Sequence, residues 1–321
     1  MSDVKILELN TKPPVSVYNH HAFGTGIITT APWGMNWIYN NYIMLGFYPD
    51  EGALTFDFYM DYIYCQPVFD REFLSNSIVK YIREKPDSLV LSQISDGKYV
   101  ECCVDEYYIP NREAYKTYHF IHNLLIYGYD DDKKIFYTAG YDESGKYTAD
   151  TLLYKVFRAS SPGKFNILKF RKDMNCELCP DYIQRQLMQY NGEIPADPVG
   201  SYPAEGRTIG IHAVDSLMDY IQNNVSAGEE ADMRPTSILY NHRVLMCERM
   251  EFMEKSGMAD AAALNEAKEQ LKLCEMLKNR QMLYNMRRKD GDKEKLIELT
   301  DKFKGVKLPH LRQTAYGSGS L

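Results

Sequence analysis

Several broad classes are excluded by what the chain lacks. No apolar run approaches the length of a membrane span. The N-terminal stretch MSDVKILELNTKPP has no basic region followed by an apolar core, so no signal peptide is read and a cytoplasmic location is expected. An excess of positive charge is missing too. The net charge is -7 and the pI is near 5.6, which argues against a nucleic-acid or polyanion partner.

Cysteine is sparse and shows no framework. Seven cysteines, an odd number scattered over the chain, do not make a disulfide scaffold and read as reduced thiols. Cys176-Glu-Leu-Cys179 has no second pair at zinc-site spacing, and no HExxH or His/Cys cluster supports a metal at His20-His21. Gly24-Thr25-Gly26 lacks the following lysine and the preceding apolar strand of a phosphate loop. Asp130-Asp131-Asp132, followed by two lysines, reads as a solvated turn before it reads as a cation site. No metal and no cofactor are expected.

What is present suits a globular protein. The 321 residues, 45% hydrophobic and 25% charged, are enough to bury a sizeable core in one large domain or two lobes. The 26 tyrosines crowd the first half, as expected of a half-polar groove or of a tyrosine-rich sheet core.

Along the chain, residues 1–18 read as an extended arm because Pro13-Pro14 blocks a helix. Phe23, Ile27, Ile28 and Ala31 then recur at helical spacing, with Asn19 able to cap the start. The glycines there weaken an isolated helix by about 1 kcal/mol each relative to alanine, yet they permit close packing on a sheet. Residues 37–47 and 54–59 are expected as paired strands around the turn at 48–52, with a helix through Trp37, Asn41, Met44 and Leu45 as the alternative. Residues 70–84 read as an amphipathic helix, 89–94 and 98–109 as strands, 148–159 as helix, 165–170 as strand and 180–190 as helix. Residues 191–206 hold three prolines and three glycines and read as a linker. Helices are expected over 209–223, 235–255, 260–289 and 292–303, and a flexible tail over 311–321.

The most informative stretch runs from Asp105 to Tyr141. His122 precedes the apolar run Leu124-Leu125-Ile126-Tyr127, then Gly128-Tyr129-Asp130, a polar turn, and a second strand through Ile135-Phe136-Tyr137. This is a hairpin pattern, and it sets His122 at the entry of a buried strand, a good position for acid–base work. A histidine there is also compatible with a plain core role, bonded to a carbonyl.

This wording, with Val104-Asp105-Glu106-Tyr107-Tyr108 and His119-Phe120-Ile121-His122 upstream, resembles the histidine hairpin of papain-like cysteine peptidases. It is most similar to the bacterial branch that contains butirosin biosynthesis protein H and bacteriocin-leader peptidases. Arg234-Pro-Thr-Ser-Ile-Leu239, His242, Met246 and Arg249 resemble the helical tail of the same branch. The resemblance implies an α+β fold: a papain-like core over residues 1–195, a short buried helix on an antiparallel sheet, with a helical region over 205–310.

It also implies a nucleophilic cysteine at the N-terminus of the buried helix, where dipole and free N–H groups lower a thiol pKa and form an oxyanion hole. In this branch a histidine commonly precedes that cysteine. The matching position here is Ala22, after His20-His21, with Ala31 as a second placement, and no cysteine occurs before Cys65. Either the chain is an engineered Cys-to-Ala form, which the retained scaffold favours, or it is a non-catalytic relative. His122 is the implied imidazole, with His119 as alternative. Asp142 is the nearest orienting carboxylate, and Asn19 and His21 are candidates for oxyanion support.

The function the resemblance implies is amide-forming acyl transfer in specialised-metabolite (antibiotic) biosynthesis. An acyl group would pass from an acyl or peptidyl carrier protein, through a cysteine, to a small-molecule amine. A cysteine peptidase or amidase and a non-catalytic binding protein on the same scaffold are the alternatives.

Overall fold

The computed structural model describes residues 3–48, 56–75, 78, 85–199 and 207–311. All but the first residue of the expected turn at 48–52, most of 75–84, the end of the proline-rich stretch and the tail from 312 lie outside these residues. The fold is α+β, with antiparallel sheets and a helical C-terminal region. The chain divides into two compact units: residues 1–35 with 62–176, and residues 36–61 with 177–321. The division expected between 195 and 205 thus falls at 176/177 instead, and residues 36–61 join the C-terminal unit.

The first unit is built on one antiparallel sheet. Its elements are strand β1 (Val4–Ile6), helix α1 (Asn19–Ile28) and, after the residues that belong to the second unit, a 3₁₀ turn at Ile63–Cys65. In chain order the second unit contributes most of helix α2 (Gly34–Asn41) and strands β2 (Leu45–Phe47) and β3 (Phe56–Phe58). Returning to the first unit, β4 (Phe69–Leu74), helix α3 (Pro86–Ser95), β5 (Tyr99–Asp105), β6 (Ile121–Asp130), β7 (Ile135–Tyr141) and β8 (Tyr147–Leu153) follow. Helix α4 (Tyr154–Ala159) and β9 (Gly163–Phe170) complete it. The strand order is β4-β9-β5-β6-β7-β8, and β1 pairs with the Gly128–Asp130 end of β6.

Three expectations are corrected here. Residues 70–74 are strand, not helix, because β4 pairs residue by residue with β9 from Phe69↔Phe170 to Leu74↔Phe165. Phe73 in this strand is exposed. Residues 89–94 are helical: Pro86 stands at the first helical positions, Asp87 lies in the first turn, and Val90 and Ile94, four apart, are the residues that bury. Residues 147–153 are strand because β8 runs the full length of β7, so helix begins only at Tyr154. In each case long-range pairing or packing overrode a short local pattern.

The core of this unit lies between one sheet face and helices α3 and α4. Val100, Cys102, Val104, Leu124, Ile126, Phe136, Phe157 and Phe165 all bury there. Alternation puts the β5 and β6 members on one face. The Gly-Tyr-Asp sequence at the end of β6 has a structural purpose. A Cβ on Gly128 would stand 2.8 Å from the carbonyl of Lys5, so glycine admits β1. Tyr129 donates to Asp3 at 3.0 Å, and Asp130 accepts from the backbone and side chain of Lys133, closing the turn.

In the second unit, β3, β2 and β10 (Thr208–Ile209) form a small antiparallel sheet. Residues 37–41 are helical, as in the first part of the alternative reading, but the helix stops at Asn41 and Leu45 begins the strand 45–47. Helix α5 (Pro180–Tyr190) is followed by α6 (Ile211–Ser226), α7 (Met233–Lys255), α8 (Ala261–Arg287) and α9 (Asp290–Phe303). Apolar stripes explain them: Val214, Leu217, Met218 and Ile221 bury from α6, and Ile238, Leu239, Leu245, Met246, Met250 and Met253 from α7. Asp232 and Asp260 cap α7 and α8 by accepting from Arg234 N and Ala263 N.

Fully buried Arg249 donates to the carbonyls of Tyr39 and Tyr42, and His242 donates from Nε2 to the carbonyl of Ile43 at 2.7 Å. These donors satisfy carbonyls at and beyond the C-terminal end of α2, which a helix leaves without internal partners. They tie residues 36–61 to α7.

Candidate functional site

Helix α1 starts at Asn19, and every residue from His21 to Ile28 is buried. Close packing explains its small residues. A Cβ on Gly24 would lie 2.3 Å from the side chain of Ile63, so the turn at 63–65 seats directly on the helix only with glycine there.

At the N-terminus of this helix Asn19, buried, directs its amide nitrogen at Nε2 of His122, 2.9 Å away. The same nitrogen donates at 3.4 Å to the carbonyl of Asn123. His122 opens β6, and its Nδ1 lies 2.9 Å from Oε1 of buried Glu106. Glu106 begins a short 3₁₀ turn directly after β5 and donates its own N–H to the carbonyl of Phe120.

The network assigns the tautomer. An amide nitrogen only donates, so Nε2 of His122 accepts and the proton sits on Nδ1, shared with the Glu106 carboxylate. That is the form a general base needs, with its lone pair facing the helix N-terminus. The amide oxygen of Asn19 is buried and accepts no hydrogen bond among the described residues.

Tyr141 backs the imidazole, its ring stacked on His122 with centroids 6.2 Å apart. Burial pushes the Tyr141 hydroxyl far above its ordinary pKa, so it stays protonated and donates to the carbonyl of Ser16 at 2.9 Å. Buried Arg112 donates to the carbonyl of Tyr141. Burial lowers the Arg112 pKa, against the favourable charges of Glu106, Asp150 and Asp142. Phe120 also packs against His122 with centroids 5.1 Å apart and is itself exposed, as are Tyr118 and Ile121.

A second histidine–carboxylate pair lies alongside. Nδ1 of exposed His119 is 2.6 Å from Oδ2 of Asp105, and its ring stacks on Tyr107. Burial raises the Asp105 carboxyl, but hydrogen bonds from His119, Tyr107 N–H and Phe120 N–H bring it below the ordinary range. Consecutive acids at the end of β5 thus serve two histidines three residues apart.

The expected site residues fall as follows. Asn19 and His122 come together. Ala22 lies one helical turn further along α1 and is completely buried, and the side chain hydrogen-bonded to His122 is that of Asn19. Ala31 lies beyond the end of α1 and is buried. His21 is buried in the first turn with its ring 4.1 Å from that of His20, which in turn stacks on Tyr18. Asp142 does not orient His122. It accepts from Ser144 and Lys146 and closes the β7–β8 turn, and Glu106 orients the imidazole instead.

No protein-family model matches the chain, and a search of curated proteins returns no match either.

Glu106 and Asp105 were missed as site residues. Their signal was antiparallel pairing: if the strand at 98–109 lies beside the histidine strand, its last residues come level with 119–122. Val104↔His122 and Asp105↔Ile121 are the observed register. No cysteine forms a disulfide. The part-buried Cys103 donates to Asn123, and burial raises its pKa, opposite to what an activated thiol needs.

Proposed function

We propose that the first unit is a papain-like core in which Asn19 stands where the family's cysteine would, and that it transfers acyl groups from a carrier-protein thioester to a small amine without a covalent enzyme intermediate. The observation that carries this reading is the Asn19–His122–Glu106 chain of hydrogen bonds at the start of a buried helix. Glu106 holds the proton on Nδ1 and leaves Nε2 basic. With Asn19 turned aside, Nε2 takes a proton from the amine as the nitrogen attacks the thioester carbonyl. The tetrahedral oxyanion is met by the Asn19 amide and the first N–H groups of α1. Collapse forms the amide, and His122 returns its proton to the departing thiolate, so atoms and charge balance.

The exposed rim of Tyr118, Phe120 and Ile121 offers an apolar surface for the acyl chain. Acyl transfer to amine and not water then rests on positioning the amine and excluding solvent. The test is intact-mass analysis of a reaction containing an acyl-carrier protein, an amine and the chain. Amide should form with no acyl adduct on the protein, and His122→Ala should remove product. Product from His122→Ala at the parent rate overturns the reading.

One observation favours a second reading, a non-catalytic binding protein on the same scaffold. The lone pair of Nε2 is already engaged by Asn19. Tight thioester binding with no product from the parent chain, and none from Asn19→Gly, which frees the imidazole, would support it.

A further inference from the structure

At the end of β6 away from His122, a cavity of about 630 Å³ opens between α3, the β6–β7 turn and α4. Asp131, at its rim, follows β6 directly, so the cavity lies roughly 30 Å along the strand from His122 and is a separate place on the unit.

Its lining has two parts. Leu91, Leu153 and the buried ring of Tyr154 give an apolar wall, and Leu153 is exposed; the Tyr154 hydroxyl is a buried donor beside Asp131 with no hydrogen-bond partner among the described residues. Around it Arg158 pairs with Asp87 at 2.8 Å and Lys134 with Asp131 at 2.8 Å. Lys155 also lines the cavity and has no ion-pair partner among the described residues, which leaves one uncompensated positive charge. Oδ1 of Asp87 is buried and accepts no hydrogen bond among the described residues, although Oδ2 is taken by Arg158. A buried carboxylate oxygen is stabilised by a donor.

We infer that this cavity binds a small amphipathic carboxylate that carries a hydroxyl group. The carboxylate neutralises Lys155, the apolar body covers Leu91 and Leu153, and the hydroxyl donates to Oδ1 of Asp87. A volume of this size is typical of small-molecule sites. A neutral apolar ligand leaves both the surplus charge and the orphan oxygen unmet, and a simple anion leaves the apolar wall bare.

Isothermal titration calorimetry of the full chain with 3-phenyllactate and with 3-phenylpropionate tests this. Phenyllactate should bind, and phenylpropionate, which lacks the hydroxyl, should bind at least fivefold more weakly. Lys155→Glu, an exposed substitution that the fold tolerates, should weaken phenyllactate at least tenfold, and His122→Ala should leave it unchanged. No heat with phenyllactate at millimolar concentration overturns the inference. So does equal binding of the two acids, or binding that responds to His122→Ala and not to Lys155→Glu.

Discussion

Asn19 and His122 stand 103 residues apart in the chain and are joined side chain to side chain at 2.9 Å. The contact decides which ring nitrogen carries the proton, and it also occupies the lone pair that a base would use. The imidazole is thus held ready and covered by the same amide. On the proposed reading, rotation of one asparagine side chain would uncover the imidazole.

If position 19 is the place of a nucleophile, a thiol there should be reactive and one at 22 should not. Asn19→Cys is expected to take up iodoacetamide or an acyl thioester quickly, because the helix N-terminus and His122 favour the thiolate. Ala22→Cys lies in a completely buried position and should stay unmodified in the native protein. Peptide mapping separates either label from the exposed native thiols Cys65 and Cys179. Faster labelling at 22 than at 19 would restore the first placement.

Glu106→Gln keeps the size of the side chain and removes the charge that holds the Nδ1 proton of His122. Amide formation should fall by about 10²–10⁴-fold with the fold intact. The tautomer should shift too, because a neutral amide holds the Nδ1 proton less firmly than a carboxylate does. The ring nitrogen chemical shifts of His122 check this apart from turnover. An unchanged tautomer would show that Glu106 does not control the ring.

His242 supplies a pH dependence of stability. Burial, and then the charge of Arg243, holds its imidazole pKa well below 6.5. Below pH 6.5 the unfolded chain binds a proton that the folded chain refuses, so this group makes stability fall as the pH drops. The slope is at most about 1.4 kcal/mol per pH unit. In denaturant melts between pH 5 and 7, His242→Gln should fall less steeply than the parent. Parallel slopes would mean that the ring protonates in place.

Arg249→Met should be costly although it removes a buried charge. It strips the donors from the carbonyls of Tyr39 and Tyr42, and two unsatisfied buried acceptors cost about 2–5 kcal/mol together. A drop of under 1 kcal/mol in chemical denaturation would show that water reaches those carbonyls.

How much was legible differs between the two halves. The helices from Pro180 onward could be read nearly to their ends, because an amphipathic stripe and an aspartate cap are local and the helix needs little else. The hairpin of β6 and β7 was equally plain from its two apolar runs and polar turn. In the sheet, Phe69–Leu74 and Tyr147–Leu153 have patterns that satisfy either periodicity over a few residues. Their state was chosen by partners about a hundred residues away, Phe165–Phe170, or next door in β7.

The site divides the same way. Neighbouring residues were enough to place His122 at the entry of a buried strand and to start a small-residue helix near Asn19. It took the folded unit to bring the Asn19 amide onto the imidazole, and to make Glu106 rather than Asp142 its carboxylate partner. A helix changes the direction of its side chains by about 100° per residue, so which of its first residues faces the sheet depends on how the helix is rotated against it. The carboxylate is chosen by strand register, which brings the end of β5 level with the start of β6. Rotation and register are set by packing across the whole unit, and no short stretch of sequence contains them.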